Sequence, residues 1–246
     1  YQGDCGLQFY AIPGNHDLFG PHGKHVATRF VTAPGKTALV TSDPHHRPDA
    51  ILTDALRCHG QPDALMPMAA FGLFRQPHYL HWETPSGTSD APDARAYDAT
   101  AADGSVTHRL MDASYLVEPE PGLWLLMIDA NVFEPRPGRS DPTRKKAFLD
   151  PSEAGWNAVL RVKPFLLPWI ADVTARAAAL GKTLVTVSHY PVLDPFQDDA
   201  GSERVLFGAT APAASELAGT VPAFTLAGLL YLGAALAVAP SNVRRP

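Results

Sequence analysis

The sequence predicts an α/β fold, and three observations carry that prediction. Two near-continuous apolar runs, residues 123–128 and 183–187, have the length and the aliphatic or β-branched content of buried strands. The clearest helical stripe, residues 164–180, is followed after Gly181 by the second of these runs. Helix, short turn and parallel strand make half of a crossover unit. Finally, the apolar runs end in polar residues. Residues 7–12 lead into Pro13-Gly14-Asn15-His16-Asp17, residues 123–128 into Asp129 and Asn131, and residues 183–187 into Ser188-His189-Tyr190-Pro191. Polar groups gathered at the carboxyl ends of strands mark the edge where α/β sheets place chemistry.

At 246 residues the chain can bury a sizeable core, in one large domain or two small ones. Its net charge of -5 argues against a nucleic-acid binder held by a basic surface. With 24 prolines, 19 glycines and 46% hydrophobic residues, the composition is that of a globular protein with many loops. Cys5 and Cys58 make no metal spacing; one bridge or two thiols fit equally, so the compartment stays open. The chain opens at Tyr1, without a methionine or a signal peptide, a few residues before an expected strand. We expect the true N-terminus to lie further upstream.

In chain order, residues 1–6 lead into the first expected strand, residues 7–12. Asp4 is expected to be a solvated turn residue. After Asp17 comes a Gly- and His-rich loop whose His22 and His25 are expected to be exposed. Residues 33–108 are interrupted by eight prolines, among them Pro34, Pro62 and Pro92. They are expected to form an inserted, loop-rich cap with a few antiparallel strands, and residues 86–104 an exposed loop. The histidines His45, His46, His59, His78 and His81 have no ligand spacing, and of the adjacent His45 and His46 at most one can face inward. Residues 114–117 and 123–129 read as a hairpin around a Pro-Gly turn. Asp129 and Asn131 are expected to cap the strand end by bonding to backbone. Arg144, Lys145 and Lys146 read as a solvated charge run. The helix over 164–180 places Leu166, Ile170, Val173, Ala177 and Leu180 on one stripe, starts at Pro164 and stops at Gly181.

The chemistry concentrates in two strings. In Pro13-Gly14-Asn15-His16-Asp17, Asn15 offers a neutral carbonyl oxygen to a cation. His16 can move a proton near neutral pH, and Asp17 can orient it. Gly14 permits a tight turn. In Ser188-His189-Tyr190-Pro191, a histidine closes a strand. Both strings, in this order and strand context, resemble the third and fourth signatures of the calcineurin-like metallophosphoesterases. The resemblance spans residues 7–192, with the middle matching only in outline. It implies a four-layer α/β/β/α sandwich, here partial over residues 1–222. It implies two divalent metal ions (Mn, Fe, Zn or Ni), with Asn15 and His189 as metal ligands and His16, oriented by Asp17, protonating the leaving group or stabilising the transition state. The substrate implied is a small phosphate mono- or diester; the cap would select it.

The family's other ligands come from Asp-x-His and Gly-Asp-x-x-Asp strands upstream and a Gly-His-x-His strand downstream. Asp4 is too close to Gly14 to belong to the Gly-Asp-x-x-Asp strand, and no histidine follows His189. Two ligands are too few for a two-metal site, so the 246-residue chain is expected to be inactive alone. Residues 223–239 are uncharged, about 25 Å long as a helix, and followed by Arg244 and Arg245. Residues 223–240 fit a membrane span, a buried helix, or a tail outside the native reading frame. The competing reading of the whole is an inactive phosphoesterase-like binding module, anchored at a membrane through that tail. Nothing structural requires Asn15, His16, Asp17 and His189 together, which favours the enzyme.

Overall fold

The computed structural model describes residues 8–15, 17–18, 20–46, 48–61, 63–144, 146–149 and 158–190. It has mixed α and β content, with several sheets and few helices. Two short strands, β1 (Ala27–Ala33) and β2 (Lys36–Thr41), form a hairpin, and the two-residue β3 (Ile51–Leu52) pairs parallel to β2. The central sheet contains β4 (His81–Glu83), β7 (Tyr115–Glu120), β8 (Leu123–Ile128) and β9 (Thr183–Ser188), in that order. Between them in sequence, β5 (Ala96–Thr100) and β6 (Thr107–Met111) make a separate antiparallel pair. Among the described residues the α-helices are α1 (Val159–Val162) and α2 (Leu166–Ala179).

The expected hairpin and crossover are both present. β7 and β8 pair antiparallel, and β8 pairs parallel with β9 from Leu123↔Thr183 to Ile128↔Ser188. The hairpin turn is tighter than expected, because β7 continues through Glu118 and Pro119 to Glu120. Pro119 has no N–H for the ladder, and the register shifts between Val117 and Glu120. The Glu118 carboxylate turns back and accepts from Gly122 N at 2.9 Å, Trp124 Nε1 at 3.0 Å and Lys182 Nζ at 2.6 Å. α2 buries Leu166, Ile170, Val173 and Ala177 as its spacing predicts. Leu180 departs from the stripe: it is the C-cap and 61% exposed. Gly181 stops the helix at φ 63°, a backbone setting that costs other residues more. Leu126, Ile128, Leu166, Ile170 and Val173 are all fully buried, each contributing about 1.5–3 kcal/mol by leaving water.

Three expectations need correction. Residues 8–12 are no strand. Their backbone is held instead by a loop carbonyl and a tyrosine: Ala11 N donates to Phe71 O at 2.8 Å, and Tyr115 Oη donates to Ala11 O at 2.9 Å. Phe9 is 44% exposed, so this apolar run does not supply a two-face-buried strand. β9, expected to be buried, is largely half-exposed, because among the described residues it is the last strand on its side of the sheet. Lastly, the tract 86–104 is not all exposed loop. Its second half forms β5, in which Tyr97 and Ala99 are buried, directly after buried Arg95. Within residues 33–108, β4 belongs to the central sheet. Cys58 is a free thiol, while Cys5 and residues 191–246, including the apolar tail, lie outside the described residues. Among the described residues, no helix is long and apolar enough to cross a membrane.

Candidate functional site

The motif loop is pinned at three points. Asp17 closes it: its carboxylate accepts from Gly14 N at 2.7 Å, and its own N–H donates to Gly14 O at 3.2 Å. Asn131, just past β8, donates from Nδ2 to Pro13 O at 3.0 Å. Tyr115 holds Ala11 upstream and also donates toward Phe71 O at 3.1 Å. The loop thus sits against the carboxyl end of β8, although no strand delivers it there.

β9 brings His189 to the same edge. His189 Nε2 and Asn15 Oδ1 lie 3.1 Å apart, a contact between residues 174 positions apart in sequence. Gly14 makes room for it. A Cβ built on Gly14 would lie 2.8–3.0 Å from three atoms of the His189 ring, closer than real Cβ contacts come. Tyr190 meets that ring edge-on, with centroids 5.0 Å apart. His189 itself is exposed, so its imidazole is open to a ligand. Of the four residues singled out from the two strings, Asn15 and His189 touch and Asp17 shapes the loop. His16 lies outside the described residues.

Behind the loop sits a buried ion cluster that sequence reasoning missed. Lys163, between α1 and α2, is fully buried and donates to Asp112 Oδ2 at 2.8 Å, Asp129 Oδ2 at 3.0 Å and Asp129 O at 2.9 Å. Burial alone would lower the Lys163 pKa, but the two carboxylates beside it push it up on balance. Asp129 also accepts from Ala113 N and Asn131 N. The expected backbone-capping role of Asp129 and Asn131 is therefore present, and the same carboxylate holds a lysine as well. Arg95 lies between the rings of Phe74 and Trp82, 5.3 Å from each centroid; burial brings its pKa down to about 10, and the charges of Asp112 and Asp129 oppose that. A lone lysine before a proline carries no local signal of such a role. Its partners come from residues 112 and 129, and only the fold brings them together.

His22 corrects another expectation. Its ring is half-buried, stacked on Phe148 and edge-on to His108, with both centroids at 6.1 Å. Burial, with His108 beside it, lowers its pKa, so the neutral form is favoured. His25 is likewise half-buried rather than exposed. His45 and His46 are exposed, His81 bonds Glu83 at 2.8 Å, and none of the three reaches the motif loop. Arg144 and Lys146 are exposed, as a solvated charge run should be; Lys145 lies outside the described residues.

The Asn15–His189 pair suits a divalent ion in one respect. Two donor atoms each about 2.1 Å from one ion, in adjacent positions, lie about 3.0–3.4 Å apart. The observed 3.1 Å matches that edge. An amide oxygen beside an imidazole nitrogen also suits Mn, Fe, Zn or Ni without choosing among them. Among the described residues, no group of three or more His, Cys, Asp or Glu is placed to hold a metal ion. Comparison with protein-family models, with curated proteins and with solved structures finds no match.

Proposed function

We propose that the chain carries part of the centre of a metal-dependent phosphoesterase, acting on a small phosphate mono- or diester. The contact between Asn15 Oδ1 and His189 Nε2 supports this reading more than any other observation. Two strings that resemble successive signatures of one metal-dependent family meet there, in ligand-edge geometry. In the two-metal reading, bound divalent ions supply a nucleophilic hydroxide and neutralise charge on the phosphoryl oxygens. Asn15 and His189 would ligate one of the ions. Gly14 keeps the space beneath the imidazole clear. Asp17 fixes the loop through Gly14 N. Asp17 would also orient His16, which would give a proton to the leaving oxygen. The net charge of -5 favours small esters over long nucleic acids. The finer architecture proposed is the four-layer sandwich over residues 1–222. The remaining ligands of a two-metal centre would come from outside the described residues.

A second reading is an inactive, phosphoesterase-like binding module. It is favoured by the absence, among the described residues, of any group of three or more His, Cys, Asp or Glu placed to hold a metal ion. The two separate by metal content and turnover. The purified 246-residue chain is analysed for bound Mn, Fe, Zn and Ni, then assayed on bis(p-nitrophenyl) phosphate with each ion. The enzyme reading expects, in a longer chain that restores the missing ligands, metal-dependent turnover and ion binding that falls in Asn15→Ala and His189→Ala. If no ion binds even in that longer chain, or if binding is indifferent to both substitutions, the metal reading fails and the binding module stands.

A further inference from the structure

The three-stranded sheet ends in an open edge. β1 pairs with β2 on one side, and among the described residues no strand lies on the other. All seven residues of β1 are exposed, Phe30 by 48% and Val31 by 77%. An edge like this accepts a further strand, and proteins commonly blunt it with proline, lysine or short length. The strand Ala-Thr-Arg-Phe-Val-Thr-Ala is seven residues long without proline or lysine; its edge devices are the charge of Arg29 and the register shift past Val31. It is also nearly palindromic about Phe30: Ala27 mirrors Ala33, Thr28 mirrors Thr32, and Arg29 and Val31 take the paired positions.

The backbone shares that symmetry. Val26 O accepts from Ser42 N at 3.0 Å, and the register continues as Thr28↔Val40 and Phe30↔Ala38. By the alternation of an antiparallel ladder, residues 28 and 30 face β2. Arg29 and Val31 therefore turn their N–H and C=O groups to the open edge.

We infer that β1 pairs antiparallel with β1 of a second copy of this chain, about a two-fold axis at Phe30, joining two three-stranded sheets into one of six strands. Arg29 of each copy then exchanges backbone hydrogen bonds with Val31 of the other. Phe30 lies opposite Phe30 and Thr28 opposite Thr32, both favourable cross-strand pairs. Charge selects the register. The strand's one charge, Arg29, faces Val31 here, whereas a slip of two residues toward the N-terminus sets Arg29 against Arg29. The register shift between Val31 and Ala33 ends the regular ladder, leaving about five residues, or roughly 16 Å at ~3.3 Å each. That contact falls below the roughly 1,200 Å² of a standard interface, so the dimer is weak and concentration-dependent.

Two measurements test this. Sedimentation of the 246-residue chain should show the average mass rising with concentration from 26.4 kDa toward twice that value. Val31→Pro, which removes an N–H facing only the edge, should abolish the rise and leave the circular-dichroism melt unchanged. Register is read by cross-linking in a Cys5→Ser/Cys58→Ser background. Under mild oxidation, Phe30→Cys should form an intermolecular disulfide about ten-fold faster than Thr28→Cys alone, because only position 30 meets itself. A mixture of Thr28→Cys and Thr32→Cys chains should also cross-link. A chain monomeric at every concentration overturns the proposal, as does Phe30→Cys cross-linking no faster than Thr28→Cys.

Discussion

Replacing Gly14 by alanine tests the site with little cost to the fold. The new Cβ would start 2.8 Å from His189 Cε1, against an ordinary contact of at least 3.4 Å, so the ring must retreat by 3.4 - 2.8 = 0.6 Å or more. The 3.1 Å Asn15–His189 contact then stretches toward the limit of a hydrogen bond. In stability terms this removes about 0.5–1.5 kcal/mol of an exposed bond. The gain of about 0.4–1 kcal/mol from stiffening the unfolded chain opposes it. The net change should lie within about 1 kcal/mol. Metal binding has no such compensation: displaced ligand geometry should lower Mn²⁺ affinity roughly 10–100-fold, as the loss of groups that orient ligands does. The assay is a calorimetric Mn²⁺ titration, in a longer chain that restores the missing ligands, beside a thermal melt of the same sample. A folded Gly14→Ala chain that binds Mn²⁺ as the unaltered chain does would refute the assignment of Asn15 and His189 as ligands. A loss above about 3 kcal/mol in the melt would make Gly14 a requirement of the fold instead.

Three further outcomes follow from named contacts. Lys163→Met leaves Asp112 and Asp129 buried and unpaired, so urea unfolding should show a loss of about 3–5 kcal/mol, partly recovered by adding Asp112→Asn. Glu118 is buried, which would raise its pKa, but Lys182, Gly122 N and Trp124 bond the carboxylate and bring it down from 4.5 to about 2. A depressed carboxylate stabilises the fold above its unfolded pKa, so roughly 2–3 kcal/mol should be lost as pH falls from about 4.5 toward 2. Trp124 fluorescence can follow that loss, and Lys182→Met should shrink it. Tyr115→Phe removes the hydroxyl that donates to Ala11 O and Phe71 O. It should cost about 1–2 kcal/mol and raise amide exchange at Gly14 more than at β8.

Local patterns in the sequence determined the hairpin of residues 114–129, the helix whose Leu166, Ile170, Val173 and Ala177 are buried, its stop at Gly181, and the parallel strand that follows. Each rests on spacing within one window, where helical or strand periodicity and turn chemistry act over a few residues. The same window misled at residues 8–12, since a short apolar run cannot say whether a ladder or, as here, a tyrosine and a loop carbonyl will satisfy its backbone. It also hid β5 inside a small-residue tract, because the strand's burial comes from neighbours far away in sequence. Residue types together with the motif resemblance nominated Asn15, Asp17 and His189. Only the tertiary structure decided that Asn15 meets His189, that Asp17 grips Gly14, and that Lys163 lies between Asp112 and Asp129. Those contacts span up to 174 positions, and whether such distant groups meet depends on how the strands and loops pack, which no local pattern encodes.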